Sequence, residues 1–371
     1  MITNKSIENI WQELHEIPEP AFKEQLTTEF ASKFLREAGY DVKEKIINNT
    51  TGIVATLDSG KKGSVVGLRT DMDCLMFDVN GKQCGIHACG HDAHMSIVLS
   101  VAKEIATKGI KKGKVKIIMQ PAEEIGLGAK AMLNTGLLDD LDYLFGLHLM
   151  PQDLAKSGQI VAQVNWTACT LLTAEITGKT AHGSMPHLGI NAINIGCAVV
   201  EAINSLQLHP LENWNVKATR FETGTGSLNA ICDKAVLGFD LRATKNSVME
   251  ELYSKVCSTI KAIVKSQNGK VKIKEIGTCP GSEIDSSLQE IVKAAIIKEV
   301  GTKGLVEEVS TTVGEDFNFY KQLRPKLKTG FLGLGCNLTP CLHDRNMTFD
   351  HSQLIHGANT LYNLVNVCLN K

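Results

Sequence analysis

The chain lacks the spacing that marks a structural zinc ribbon or a thioredoxin-type site: none of its 11 cysteines stands in a Cys-x-x-Cys pair. An odd number of thiols in a chain with no secretion signal reads as reduced cysteines acting mostly as small core residues. An excess of charge is also missing. The 39 basic and 40 acidic side chains leave a net charge of -1, which removes the electrostatic case for a nucleic-acid or membrane-surface partner. No apolar run approaches the ~20 residues that a membrane span requires, and none follows the polar start Met1 to Lys5. A cytoplasmic location is therefore expected. Internal repeats, low-complexity tracts and long linkers are lacking as well.

What remains is an ordinary globular composition, 43% hydrophobic and 21% charged, in 371 residues, more than one core normally organises. Residues 7–16 and 27–38 have helical apolar spacing, 51–57 and 64–68 read as strands, and 92–108 as a helix ending before Gly109. Residues 115–119 and 143–147 are further apolar runs of strand length. This alternation predicts an α/β fold, a doubly wound and mostly parallel sheet with helices on both faces. The middle of the chain changes rhythm. Strands at 171–177, 215–222, 234–242 and 271–276 with helices at 191–208 and 247–265 give the order β-α-β-β-α-β, a ferredoxin-like unit. Helices at 288–300, 317–323 and 352–369 and a strand at 330–334 then resume the first pattern. The predicted division is a larger domain of residues 1–166 and 278–371, interrupted by a smaller one of residues 167–277.

Three predicted strands of the larger domain run into polar residues: Arg69-Thr70-Asp71-Met72-Asp73, Gln120-Pro121-Ala122-Glu123-Glu124, and His148. Open α/β sheets bind ligands beyond the carboxyl ends of their strands, so three such endings suggest a built site. The densest segment is His87-Ala88-Cys89-Gly90-His91-Asp92-Ala93-His94. Imidazole and thiolate are preferred ligands of zinc and its neighbours. Cys89 sits before a predicted helix N-terminus, which favours its thiolate form. His94, one helical turn after His91, reads as a packing or supporting group. Of the adjacent Glu123 and Glu124, one can hold a metal while the other stays available as a general base.

These residues resemble the M20-type metallopeptidases, in the branch of N-acyl-amino-acid amidohydrolases. Leu14-His15-Glu16-Ile17-Pro18-Glu19, the three motifs above, Gly146-Leu147-His148, Gly178-Lys179-Thr180-Ala181-His182-Gly183-Ser184, Gly314-Glu315-Asp316-Phe317 and Leu342-His343-Asp344 carry the resemblance nearly end to end. The cysteine–histidine signature with the Glu-Glu pair downstream is the most specific part. The resemblance implies two divalent metal ions, zinc first, with manganese, cobalt or nickel as alternatives. Cys89 would bridge them, His91 and His148 would complete one site, and Glu124 and His343 the other. Glu123 would be the general base and acid for a metal-bridging hydroxide, and Asp71 would orient a ligand histidine from behind. From the inserted lid and dimerisation domain, His182 would stabilise the oxyanion, and Asn229 and Arg242 would contact substrate. Arg242 could equally make a surface ion pair, and Asn229 could cap a turn. A small-molecule N-acyl amino acid substrate and a homodimer are implied. A dipeptidase, an N-carbamoyl-amine hydrolase and a non-catalytic metal- or ligand-binding module are the alternatives. The chain departs from relatives after the Asp-Met-Asp motif, where Cys74-Leu75-Met76 replaces Ala-Leu-Pro.

Overall fold

The computed structural model describes residues 2–224, 226–283 and 285–371; Met1, Thr225 and Ile284 lie outside the described residues. The chain forms two compact units. The larger comprises Met1–Val164, Glu283–Ser310 and Asp316–Lys371, and the smaller Asn165–Ser282 with Thr311–Glu315.

In the larger unit, β1 (Asp41–Ile47), β2 (Thr51–Asp58), β3 (Val65–Asp71), β6 (Lys114–Gln120), β7 (Tyr143–Pro151), β8 (Ile160–Val161), β13 (Leu305–Val306) and β14 (Lys328–Leu338) build one sheet. Strands β4 (Leu75–Val79) and β5 (Lys82–Ile86) form a separate hairpin. The sheet order is β1-β2-β6-β3-β7-β14-β8-β13. The central four, β6, β3, β7 and β14, run parallel, whereas β1 and β2 pair antiparallel to their neighbours, and β8 pairs antiparallel to β14 and parallel to β13. Strand β3 is buried along its whole length and β6 along nearly all of it, which is why they read as continuous apolar runs rather than alternating ones. Helix α3 (His91–Lys108) packs between α1 (Asn4–His15) and α9 (Leu354–Leu369). It is buried on almost every side, with His91, Asp92, His94, Ser96 and Ser100 covered along with its apolar residues. It follows Gly90, whose backbone is left-handed (φ 84°) and packs against Leu149, so a side chain there would be strained and crowded.

The smaller unit has the order β9 (Ala168–Thr177), α5 (Ala192–Asn204), β10 (Trp214–Thr223), β11 (Lys234–Ala243), α6 (Asn246–Ser266), β12 (Lys270–Cys279). Its strands form an antiparallel sheet in the order β10-β11-β9-β12. Burial alternates along β9, and its covered residues Leu172, Ala174 and Ile176 join Ile195 and Val199 of α5 and Leu252, Val256 and Ile260 of α6 in one core. The other face of this sheet carries no helix of the unit. Among the described residues, no helix is long and apolar enough to cross a membrane.

Candidate metal centre

Because β6, β3, β7 and β14 are adjacent and parallel, their carboxyl ends share one edge of the sheet. Asp71 closes β3, Glu123 and Glu124 follow β6, His148 lies near the end of β7, and His343 follows β14. Two strained backbone positions aim these groups. Ala122 is left-handed (φ 56°), with its N–H donated to Glu24 and its carbonyl accepting from Gly128. His343 is left-handed as well (φ 66°), and its N–H donates to the Ala88 carbonyl at 2.7 Å, tying its loop to that of Cys89.

Five groups of ligand-type atoms lie close together among the described residues, and two of them are made of the expected ligands alone. Cys89, His91 and His148 form one and Cys89, Glu124 and His343 the other, with the ligand atoms in each within 4.8 Å of one another. The clusters share the Cys89 thiol. Cys89 Sγ lies 3.4 Å from His148 Nε2, and His343 Nε2 lies 3.4 Å from Glu124 Oε2. His91 Nε2 is 3.8 Å from Glu124 Oε1 and 3.9 Å from Glu123 Oε2. Among the described residues, neither His91 Nε2 nor Glu124 Oε1 has a hydrogen-bond partner, although both atoms are buried. Buried polar atoms are rarely left so, and each of these points at the other ligands.

The protonation states fit the same reading. Burial holds His148 well below its ordinary value, assisted by His94, and burial also lowers His343, which keeps both imidazoles neutral, the form a metal would need. His148 Nδ1 donates to the Leu149 carbonyl at 2.6 Å, leaving Nε2 toward Cys89. Burial drives the Cys89 thiol well above its ordinary value and Glu124 up to about 7, against the pull of His91. His91 is opposed by burial yet held well above its ordinary value by Asp71 and Cys89. Buried acids that resist ionisation beside an imidazole that retains its proton are a site short of positive charge. Divalent cations supply that charge and let the thiolate and carboxylate form.

Both ring nitrogens of His94 are engaged within the protein. Its Nε2 accepts the Leu149 N–H at 3.0 Å, and its Nδ1 donates to Asp71 Oδ1 at 2.8 Å. Asp71 hydrogen-bonds His94 and, at 2.8 Å, Arg69, and its Oδ2 lies 3.8 Å from His91 Nε2. The carboxylate that orients His91 is Asp73. Its Oδ1 and backbone carbonyl lie 3.2 and 2.9 Å from His91 Nδ1, and its Oδ2 accepts the Glu124 N–H at 3.0 Å. The Asp-Met-Asp motif contained this residue but gave no means of separating its two acids. Behind them, Arg69 donates to Gln120, Asp71 and Asp316 in a fully buried network. Glu24 was not foreseen at all. It is buried, accepts the N–H groups of Phe22 and Ala122, and is pushed up to about 7 by burial.

The remaining expected residues belong to the smaller unit. His182 is exposed, with Nδ1 2.7 Å from Ser184 Oγ, and its strand bridge to Ala230 brings its loop beside Asn229. Asn229 is exposed and accepts a hydrogen bond from Ser227. Arg242 donates through Nε and Nη2 to Asp240 and through Nη1 to the Thr312 carbonyl.

A thiol, imidazoles and carboxylates gathered at the carboxyl edge of a doubly wound sheet form the donor set of a divalent-metal enzyme. The chain belongs to the Peptidase family M20/M25/M40, whose model matches residues 67–367. It is similar to the hippurate hydrolase of Campylobacter jejuni, 28% identical over 95% of this chain and 93% of that one. It is also similar to thermostable carboxypeptidase 1 of Saccharolobus solfataricus, 31% identical over 94% and 92%. In fold it matches a dinuclear metal-binding peptidase of the M20 family from Bacillus subtilis, with 24% identity, a TM-score of 0.79 and coverage of 99% and 98%.

Proposed function

We propose that the protein hydrolyses the amide bond of an N-acyl amino acid or a closely related amine. The observation that carries this reading is the pair of ligand clusters sharing Cys89 beside Glu123. In this reading Cys89, His91 and His148 hold one divalent ion, and Cys89, Glu124 and His343 the other, zinc first by donor chemistry. Such ions, when bound, supply Lewis acidity that polarises a carbonyl and makes water acidic near neutral pH. Glu123 takes the proton of the attacking water on its carboxylate and returns it to the leaving nitrogen. Asp73 and Leu149 keep the ring nitrogens of His91 and His148 in the tautomers that leave Nε2 available. His182 serves as the oxyanion donor, and Asn229 and Arg242 as contacts to the substrate's polar groups, Arg242 suiting a carboxylate.

The N-acyl reading follows the likeness to a hippurate hydrolase. The likeness to a carboxypeptidase supports peptide hydrolysis on the same centre as a second reading. The test is a panel of N-acyl amino acids, dipeptides and N-carbamoyl amines, offered after reconstitution with each candidate metal and read by mass spectrometry. Acid and free amino acid from the N-acyl compounds are expected. Cleavage of dipeptides alone would select the second reading, and tight binding without product would select a non-catalytic role. Glu123→Gln should retain two ions per chain by elemental analysis and lose about 10²–10⁴-fold in turnover, the usual worth of a general base. Full turnover in the metal-loaded variant would remove Glu123 from the chemistry.

A further inference from the structure

Cys169 on β9 stands directly opposite Cys279 on β12 and directly opposite Arg242 on β11. The three side chains therefore share one face of the small sheet, the face that no helix of the unit covers. Directly opposed residues of antiparallel strands have Cα atoms about 4.5–5.5 Å apart, inside the roughly 4.4–6.8 Å that a disulfide spans. A second observation shows the two side chains converging. An ideal Cβ built on Gly314 would lie 2.8 Å from Cys169 Sγ and 3.3 Å from Cys279 Cβ, so one point beside that glycine touches both residues. Neither is in a disulfide, and both are partly buried.

We propose that Cys169 and Cys279 form a reversible dithiol–disulfide site, with Cys169 as the attacking thiolate and Cys279 as the resolving thiol. Neither belongs to the metal-binding clusters. The chain has no Cys-x-x-Cys motif, and here the sheet register supplies the resolving partner instead, from 110 positions away in sequence. The electrostatics favour the assignment of roles. A hydrogen bond from Cys279 and the charge of Arg242 bring Cys169 down to about 7, against burial and the nearby carboxylate of Asp240. The oxidant is a small-molecule disulfide. The Cys169 thiolate attacks one of its sulfurs, its S–S bond breaks, and the first thiolate leaves and takes a proton from solvent. Cys279 then gives up its proton and attacks Cys169 Sγ in the mixed disulfide, expelling the second thiolate, which is protonated in turn. Two protein thiols are oxidised, and one disulfide is reduced to two thiols.

The test treats the full chain with oxidised glutathione at pH 7 and maps its peptides without reduction. The expected product is a linked pair of peptides containing Cys169 and Cys279, two hydrogens lighter than their sum. Cys279→Ser should stop at glutathione on Cys169, and Cys169→Ser should leave Cys279 unmodified. With a limiting alkylating agent at pH 7, Cys169 should react about 5-fold faster than the thiol of a cysteine peptide, because more of it is thiolate. Glutathione spread over Cys197 and Cys341 in the wild-type protein, with no linked peptide, would overturn the proposal. The wild-type map needs no variant, so a folding defect in either serine variant cannot mask the result.

Discussion

Single side chains divide into those whose chemistry announces them and those defined only by what they touch. Cys89, His91 and the Glu123–Glu124 pair stood out as candidates because ligand-type residues rarely crowd short segments by chance. Asp71 and Asp73 were not separable, since two acids flanking one methionine look alike until the chain leaves β3 after Asp71 and takes them to different partners. The difference has a measurable consequence. Asp73→Asn should lower metal affinity about 10–100-fold, by competition with a chromophoric chelator, through loss of the carboxylate that orients His91. Unchanged affinity would show that the Asp73 carbonyl suffices. Glu24 was illegible because nothing in sequence shows that a carboxylate is to be buried under two backbone N–H groups. Its folded pKa of about 7 lies above the ordinary carboxylate value, so the native state binds the extra proton. Stability contributed by this group therefore falls as pH rises from about 4.5 to about 7, by about 3 kcal/mol in total. Glu24→Gln should remove that slope. Denaturant unfolding of both proteins at pH 5 and pH 8 checks it, and parallel profiles would contradict it.

At the scale of elements, periodicity found the long helices and the buried strands and missed the short, exposed ones. The edge strand β1 and the hairpin of β4 and β5 bury too little to leave a pattern. The hairpin had a different signal, Asn80-Gly81. Both residues have positive φ (55° and 81°), as a tight two-residue turn requires. Helix α4 (Gly128–Leu133) is a third omission and the one with most bearing on the site. Its first residue packs onto the turn that presents Glu123 and Glu124. A Cβ on Gly128 would fall 1.7 Å from the Pro121 carbonyl oxygen and 2.7 Å from Gln120 Nε2. No rotamer relieves a clash with backbone. Gly128→Ala should cost about 3 kcal/mol and weaken metal retention together. Thermal melts and elemental analysis on the same preparation would read both, and a variant with native melting and native metal content would contradict this account of the turn.

For the molecule as a whole, the sequence showed that one α/β pattern is interrupted by another, because the β-α-β-β-α-β order is distinct from the alternation around it. It did not show that Thr311–Glu315, far along the chain, packs with the smaller unit, since a five-residue segment has no period to read. The expected cation ligands all fall in the larger unit. A ligand at 100 times its dissociation constant stabilises the state that binds it by about 2.7 kcal/mol. Chelation should therefore speed hydrogen exchange in the larger unit, most in residues 87–94, 121–128 and 339–348, and leave the small sheet unaffected. Equal loss of protection in both units would mean that they unfold as one.

The strand β14 lies inside the large sheet, between β7 and β8, although it is made after the whole of the smaller unit. A ribosome therefore exposes Cys89, His91, Glu124 and His148 long before the strand that completes their scaffold, or His343 beyond it, can emerge. Until then the growing polypeptide holds an open claw of mixed donors with a gap in the sheet beneath it. Cation capture during synthesis must either wait for the tail or begin on a half-built cradle, and a product truncated before Lys328 would keep most of the donors without the support that arranges them.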